Sequence, residues 1–235
     1  MDSNIFVRTI PLPETVRAVT LPNSDCTFDI YINSRLPQEL QALCEWPDED
    51  EVEGCLLEGL DLTGADLHAR EFRGCVLRRC SLSQAELRRT AWTDVAFDHC
   101  DLSGCLLENA ALQRVRLTGC RLTGTDMTHA LLRDAVLSEC RMDYLNLARA
   151  KAERVAFQGG SLREAALEEC TLRHAEFFDC DMTRVTIHLT PMKGVDLRTC
   201  RLDGITSDLS SLRGMTVNPL QATALAKLLG LDVKD

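Results

Sequence analysis

The stretch that decides the fold reads Cys100-Asp-Leu-Ser-Gly-Cys105-Leu-Leu-Glu-Asn-Ala110-Ala-Leu-Gln-Arg-Val115-Arg-Leu-Thr-Gly-Cys120-Arg-Leu-Thr-Gly124. Every fifth residue of it, at 102, 107, 112, 117 and 122, is apolar, here always leucine. The spacing is five, which is neither the 3.6 of a helix nor the 2 of a plain strand. Extended outward, the rule holds without exception from Leu57 to Leu202, thirty consecutive quintets. Two places before these residues there is nearly always a small or apolar one, such as Cys55, Ala65, Cys75, Ala85, Val95 or Cys100. Two places after it stands glycine at 59, 64, 74, 104, 119, 124, 159, 194 and 204. Five residues make a short extended piece and a turn. Four such pieces make a square coil, with two residues of each quintet inward and three outward. A recurring turn with positive φ explains the glycine phase. Internal repetition of this kind defines a solenoid.

The quintets Ala65-Asp-Leu-His-Ala69, Cys100-Asp-Leu-Ser-Gly104, Cys120-Arg-Leu-Thr-Gly124 and Cys180-Asp-Met-Thr-Arg184 resemble the repeating unit of the pentapeptide-repeat family. The resemblance covers about 160 residues without a break. It implies an all-β solenoid, a right-handed quadrilateral β-helix, here about 36 Å long at ~4.8 Å per coil. The organisation expected is a small N-terminal α/β cap over 1–51, the β-helix over 52–213 and a capping helix over 214–235.

In the N-terminal segment, residues 4–10 and 27–33 read as short strands. Ser34 reads as the N-cap of a helix over Arg35–Cys44, with Leu36, Leu40 and Leu43 at helical spacing. The run Asp48-Glu-Asp-Glu51 reads as a charged linker. The run Asp29-Ile-Tyr-Ile-Asn-Ser-Arg-Leu36 weakly resembles the start of small bacterial zinc metallopeptidases. No His-Glu-x-x-His follows it, so no zinc chemistry is expected. At the other end, Asn218-Pro219 reads as an N-cap and first helical residue, with an apolar stripe of Leu220, Leu225, Leu228 and Leu229 and Gly230 as the stop. The family resemblance adds a homodimer joint at the C-terminus, to which Leu225, Leu228, Leu229 and Leu231 are the candidates.

Residues 20 apart stack. Cys80, Cys100, Cys120, Cys140, Cys180 and Cys200 therefore form one inward column, which Gly160 interrupts. Parallel stacked thiols neither converge on a metal nor meet disulfide geometry, so they read as small buried hydrophobes. Ala152 and Gly160 look undersized, a gap that Phe157 or a bend in the coil would absorb. Arg70 breaks the inward rule and is expected to reach outward. His68, His99, His129, His174 and His188 all fall at outward positions with no partner at ligand spacing. Asp101 and residues in its phase read as turn formers. No catalytic, metal or cofactor constellation emerges, and the chain reads as a non-enzyme.

The start of the chain shows no secretory pattern, and no apolar run reaches membrane-spanning length, so free thiols in a cytoplasmic setting are expected. The net charge is −10, and residues 1–51 alone hold 10 Asp and Glu against 3 Arg. The repeats are nearly balanced. One face carries Asp66, Glu86, Glu108, Asp126, Glu168 and Glu169. Another carries Arg73, Arg114, Arg133, Lys151, Arg154, Arg173 and Lys193. Some relatives of the implied family protect DNA gyrase by presenting a DNA-like acidic rod. A type II topoisomerase is therefore one candidate partner, with no direct nucleic-acid binding expected. The first reading is a protein-interaction rod, with Phe178 on an outward apolar strip beside Val76, Ala96, Val136 and Ala156.

Overall fold

The structure is a computed structural model that describes residues 8–11, 37, 39–43, 45–47 and 49–233. Each quintet forms one side of a four-sided coil, and parallel strands stack coil on coil. One wall runs through Cys55–Glu58, Val76–Arg78, Ala96–Asp98 and Arg116–Thr118. The adjacent wall runs through Glu51–Glu53, Glu71–Arg73, Ala91–Thr93 and Ala111–Gln113. Three eight-residue strands, Leu131–Ser138, Lys151–Gln158 and Thr171–Phe178, turn the corner and join the two walls. The remaining walls are built mostly from single bridges, such as Asp61↔Ser81 and Asp66↔Glu86.

The period sets the core. Val52 is the first lumenal residue, paired above Phe72. Every fifth residue from Val52 to Leu202 is buried except Leu172, which is partly so. Phe72 stacks on Trp92 with centroids 3.9 Å apart, and Phe157 stacks on Phe177 at 4.8 Å. The Trp92 Nε1 donates to the Thr90 hydroxyl at 2.8 Å. Phe97 meets Trp92 rather than the other phenylalanines of its column. Arg70 does reach outward, donating to the carbonyls of Pro47 and Glu49.

The turns carry a backbone signature wider than the glycines. From Gly54 to Gly204 every quintet turn has positive φ except at Thr199, and twenty of these residues are not glycine. A left-handed L-residue costs about 1 kcal/mol. An inter-coil hydrogen bond at the same residue offsets it: Arg79 N donates to Asp98 O, Arg89 N to Glu108 O and Asn109 N to Thr128 O, at 2.9 to 3.0 Å.

The thiols are all free and buried among the described residues. They are donors as well as packing. Cys80 Sγ donates to Leu57 O, Cys100 to Leu77 O and Cys105 to Leu82 O, each reaching back 23 residues to the coil before. The hydroxyls of Thr125 and Thr190 make the same bond from the same repeat position. Burial pushes the Cys105 thiol up to about 12 and the Cys170 thiol up to about 11.

The gap at Ala152 remains open as an apolar void of about 10 Å³ bordered by Leu132, Phe157, Leu172 and Phe177. Gly160 is not undersized for its place. A Cβ there would lie 2.6 Å from the Cys140 carbonyl oxygen.

Two sequence expectations need correction at the ends. The helix over Arg35–Cys44 is not formed across its described part. Glu39–Leu43 is a strand, β2, antiparallel to β1 (Arg8–Pro11) and parallel to Cys55–Glu58. Its register sets Leu43 beside Leu57. That gap of 14 residues replaces the usual 20, which hid the strand from the period. Leu36, the strand expected over 27–33 and the cap at Ser34 lie outside the described residues. The charged run ends inside the coil, since Glu51 pairs with Glu71.

At the C-terminus, α1 (Leu209–Leu212) is capped by Asp208, whose carboxylate accepts from Ser211 N and Leu189 N. α2 (Pro219–Ala226) has the expected Asn218 cap, completed by Gln221 into a capping box, and ends through a short 3-10 turn at Gly230, φ +72°. The buried face of α2 is not the leucine stripe. Gln221 is buried and donates to the carbonyls of Leu197 and Cys200 at 2.7 and 2.6 Å, and Leu225 packs on the core. Leu220 is 84% exposed. The last coil has no successor to pair with, so its end needs a donor more than another apolar group. Among the described residues no helix is long and apolar enough to cross a membrane.

Candidate interaction surfaces

The acidic residues of the sequence reading do not form one continuous stripe. Asp66, Glu86 and Asp126 share a column, but Leu106 separates Glu86 from Asp126, and Asn146 follows. Asp66 and Asp126 are turn builders, accepting the amides of His68 and Thr128. Asp101 does the same for Ser103. Arg88 lies between Glu86 at 3.2 Å and Glu108 at 3.6 Å. Arg149 meets Glu169 at 3.2 Å. Glu168 is exposed beside it.

The basic face is likewise threaded with carboxylates, mostly one coil away. Arg114 makes a two-pronged bond to Asp94, which raises its pKa, and Arg154 makes one to Asp134. Arg133 meets Glu153 at 3.2 Å, and Arg73 meets Glu71 on its own strand. Lys151, Arg173 and Lys193 have no ion pair among the described residues. Arg173 sits in the Arg133–Glu153 column. The 20-residue period that stacks the lumen therefore also stacks opposite charges, and sequence columns counted one by one miss that pairing. Stacked pairs of this kind are individually modest, about 0.2–1 kcal/mol.

The outward apolar strip is present but not open. Val76, Ala96, Val136 and Ala156 are all buried, their column continues to Glu176, and Phe178, which follows Gln158 in a neighbouring column, is half-buried. The exposed apolar groups lie elsewhere: Leu220, Leu228, Leu231 and Val233 at the C-terminus, Leu189 and Leu209 near it, and Leu131 and Tyr144 on the coils. Leu225 is half-buried, and the side chain of Leu229 lies outside the described set. No group of three or more metal-ligating side chains gathers among the described residues.

A family model described as a pentapeptide repeat region matches residues 90–167, and a second, pentapeptide repeats (8 copies), matches 61–91 and 161–198. Together they run from 61 to 198, the same coils that the lumen defines. The chain is a pentapeptide-repeat protein. Neither model reaches residues 1–60, and nothing in these matches ties the N-terminal segment to zinc peptidases.

No curated protein sequence matches this pentapeptide-repeat chain significantly. Similar solved structures include HetL, a pentapeptide repeat protein involved in heterocyst differentiation regulation from the cyanobacterium Nostoc sp. strain PCC 7120. It is 19% identical, with a TM-score of 0.44, over 70% of this chain and 88% of that one. A trypsin-treated form of QnrB1, a plasmid-mediated fluoroquinolone resistance protein, is 18% identical, with a TM-score of 0.37, over 79% and 99%. Rfr23 from the cyanobacterium Cyanothece 51142 is 18% identical, with a TM-score of 0.27, over 73% and 93%.

Proposed function

We propose that this chain is a non-enzymatic protein-binding rod that pairs with a second copy through its C-terminal helix. The observation that carries the reading is the placement of the exposed apolar groups. Leu220, Leu228, Leu231 and Val233 stand open on and just after α2, while Gln221 and Leu225 hold the other side of that helix on the last coil. A helix docked by a buried glutamine and left with leucines outward fits a second protein surface. The cross-coil ion pairs leave the walls close to neutral, which suits a scaffold that recognises by shape.

The gyrase-protector reading needs a continuous acidic face. Arg88 and Arg149 interrupt the one available, so a topoisomerase is the second candidate partner. Light scattering coupled to size exclusion tests the first claim. The wild-type chain is expected to run as a dimer and Leu220→Asp with Leu228→Asp as a folded monomer. A monomeric wild type overturns the joint. A DNA gyrase supercoiling assay separates the two partners. No effect at micromolar protein is expected, and protection against a quinolone would replace the neutral-scaffold reading.

A further inference from the structure

The charge alternation of the basic wall stops at one place. In the column of Arg133, Glu153 and Arg173, opposite charges follow each other from coil to coil. The next two residues at the 20-residue spacing are Lys193 and Arg213. The register holds there, with Met192 N donating to Ser211 O and Asp196 bridged to Thr216. Arg173, Lys193 and Arg213 thus stand in three successive coils, ~4.8 Å apart along the rod. No other column of the rod holds three like charges in a row. All three are exposed, and none forms an ion pair among the described residues. Glu153, the carboxylate one coil before them, is held by Arg133 and Arg154. The neighbouring column withdraws as well. In earlier coils it carries Asp94, Arg114, Asp134 and Arg154, which pair with each other across the coils. Beside Lys193 and Arg213 it carries Gly194 and Gly214. A Cβ on Gly194 would meet nothing within 4 Å, and the Lys193 stem lies against Gly214, its Cγ 3.0 Å from where a Cβ would stand. The three cations therefore border an open shelf. Like charges in register cost stability. On a wall that pairs Arg114, Arg133 and Arg154, such a breach of the local rule is the mark of a functional surface.

We propose that Arg173, Lys193 and Arg213 are a docking surface for an acidic segment of a partner protein. The inference rests on the reading of the chain as a protein-binding rod and adds the chemistry of the partner. The size fits. The ladder spans about 10 Å, and carboxylates on alternate residues of an extended segment lie about 6.7 Å apart, within reach of these long side chains. The chemistry fits too, since a guanidinium takes a carboxylate through two parallel hydrogen bonds and an ammonium takes it as a point charge. A nucleic-acid strand fits less well. Its phosphates would run on from the ladder toward Glu153, and no Phe, Tyr or Trp stands in the ladder or beside it for a base to stack on.

Fluorescence anisotropy of labelled hexaglutamate, titrated with the full chain at about 50 mM salt, tests this. The wild-type chain is expected to bind. Arg173→Ala, Lys193→Ala and Arg213→Ala together are expected to weaken binding about tenfold or more. Arg79→Ala, Arg89→Ala and Arg141→Ala, which remove the same charge from exposed positions elsewhere on the rod, are expected to weaken it less than about twofold. Equal weakening by the two triples overturns the proposal, and so does a wild-type chain that does not bind. A labelled hexathymidylate that binds more tightly than hexaglutamate, and is lost with the ladder, would assign the surface to single-stranded nucleic acid and overturn it too. Lys193→Glu restores the alternation of charge. It is expected to abolish binding while raising the melting midpoint by about 1–2 °C. A lowered midpoint would mean that the lysine serves the fold, against the proposal. The chain with Leu220→Asp and Leu228→Asp is expected to bind hexaglutamate as the wild type does, so a failed C-terminal joint and a failed ladder are read apart.

Discussion

Position 160 shows how far one residue is constrained by a neighbour 20 places away. Gly160 does not have positive φ, so conformational freedom is not its reason. A methyl group would meet the Cys140 carbonyl oxygen at 2.6 Å and Met142 Cε at 3.0 Å. At Gly124 the reverse holds: φ is +66°, and nothing lies within 4 Å of an added Cβ. Gly160→Ala is expected to cost about 2 kcal/mol by overpacking. Gly124→Ala should cost about 1 kcal/mol from backbone strain alone. Urea denaturation of the two variants ranks them, and the opposite order would sink the steric account. The sequence marks Gly160 as out of phase with the other glycines and inside the cysteine column. The carbonyl that excludes a side chain is not legible there. The thiol-to-carbonyl bonds are similar. Thr90, Thr125 and Thr190 at cysteine positions were the available sign that this site donates.

At the scale of single walls and helices, the period was readable wherever it ran unbroken and misleading where it slipped. Leu36, Leu40 and Leu43 match a helical face, but Leu40 and Leu43 belong to a strand on an outer cluster and beside the lumen respectively. Strand pairing with Cys55–Glu58 overrode local spacing, as tertiary context commonly does. In α2 the cap and stop were plain, while the buried face was not, because the demand for a donor comes from the coil beneath. The wall through Val76, Ala96, Val136 and Ala156 carries its own prediction. Glu176 follows Ala156 along it, and burial raises its carboxyl pKa. A carboxyl with a folded pKa above its unfolded value destabilises the fold when charged. That penalty is full above the folded pKa and absent below the unfolded value of about 4.3. Glu176→Gln is therefore expected to raise the melting midpoint at pH 7 and to leave it unchanged at pH 3.5. A shift of equal size at both values would mean that charge is not the cause.

For the molecule as a whole, each coil touches only its neighbours, so stability behaves as a sum of coils and junctions. Three coils are reinforced by the eight-residue strands Leu131–Ser138, Lys151–Gln158 and Thr171–Phe178, which tie two walls together. Native-state hydrogen exchange is expected to be slowest in residues 131–178 and to quicken toward Glu51 and Ser207. Uniform protection along the rod would contradict this. The cross-coil charge pairs were in the sequence all along, at a spacing of 20. They become visible only once the square coil is known, and with them the apparent acidic and basic faces lose much of their contrast. The sealed column of thiols has one more consequence. Oxidation and disulfide exchange act on exposed thiolates. Here the sulfurs are enclosed, and burial holds Cys105 and Cys170 protonated at neutral pH. The ten described thiols of this interior are thus shielded from the redox poise outside it, so the described coils would persist unchanged in an oxidising or a reducing compartment.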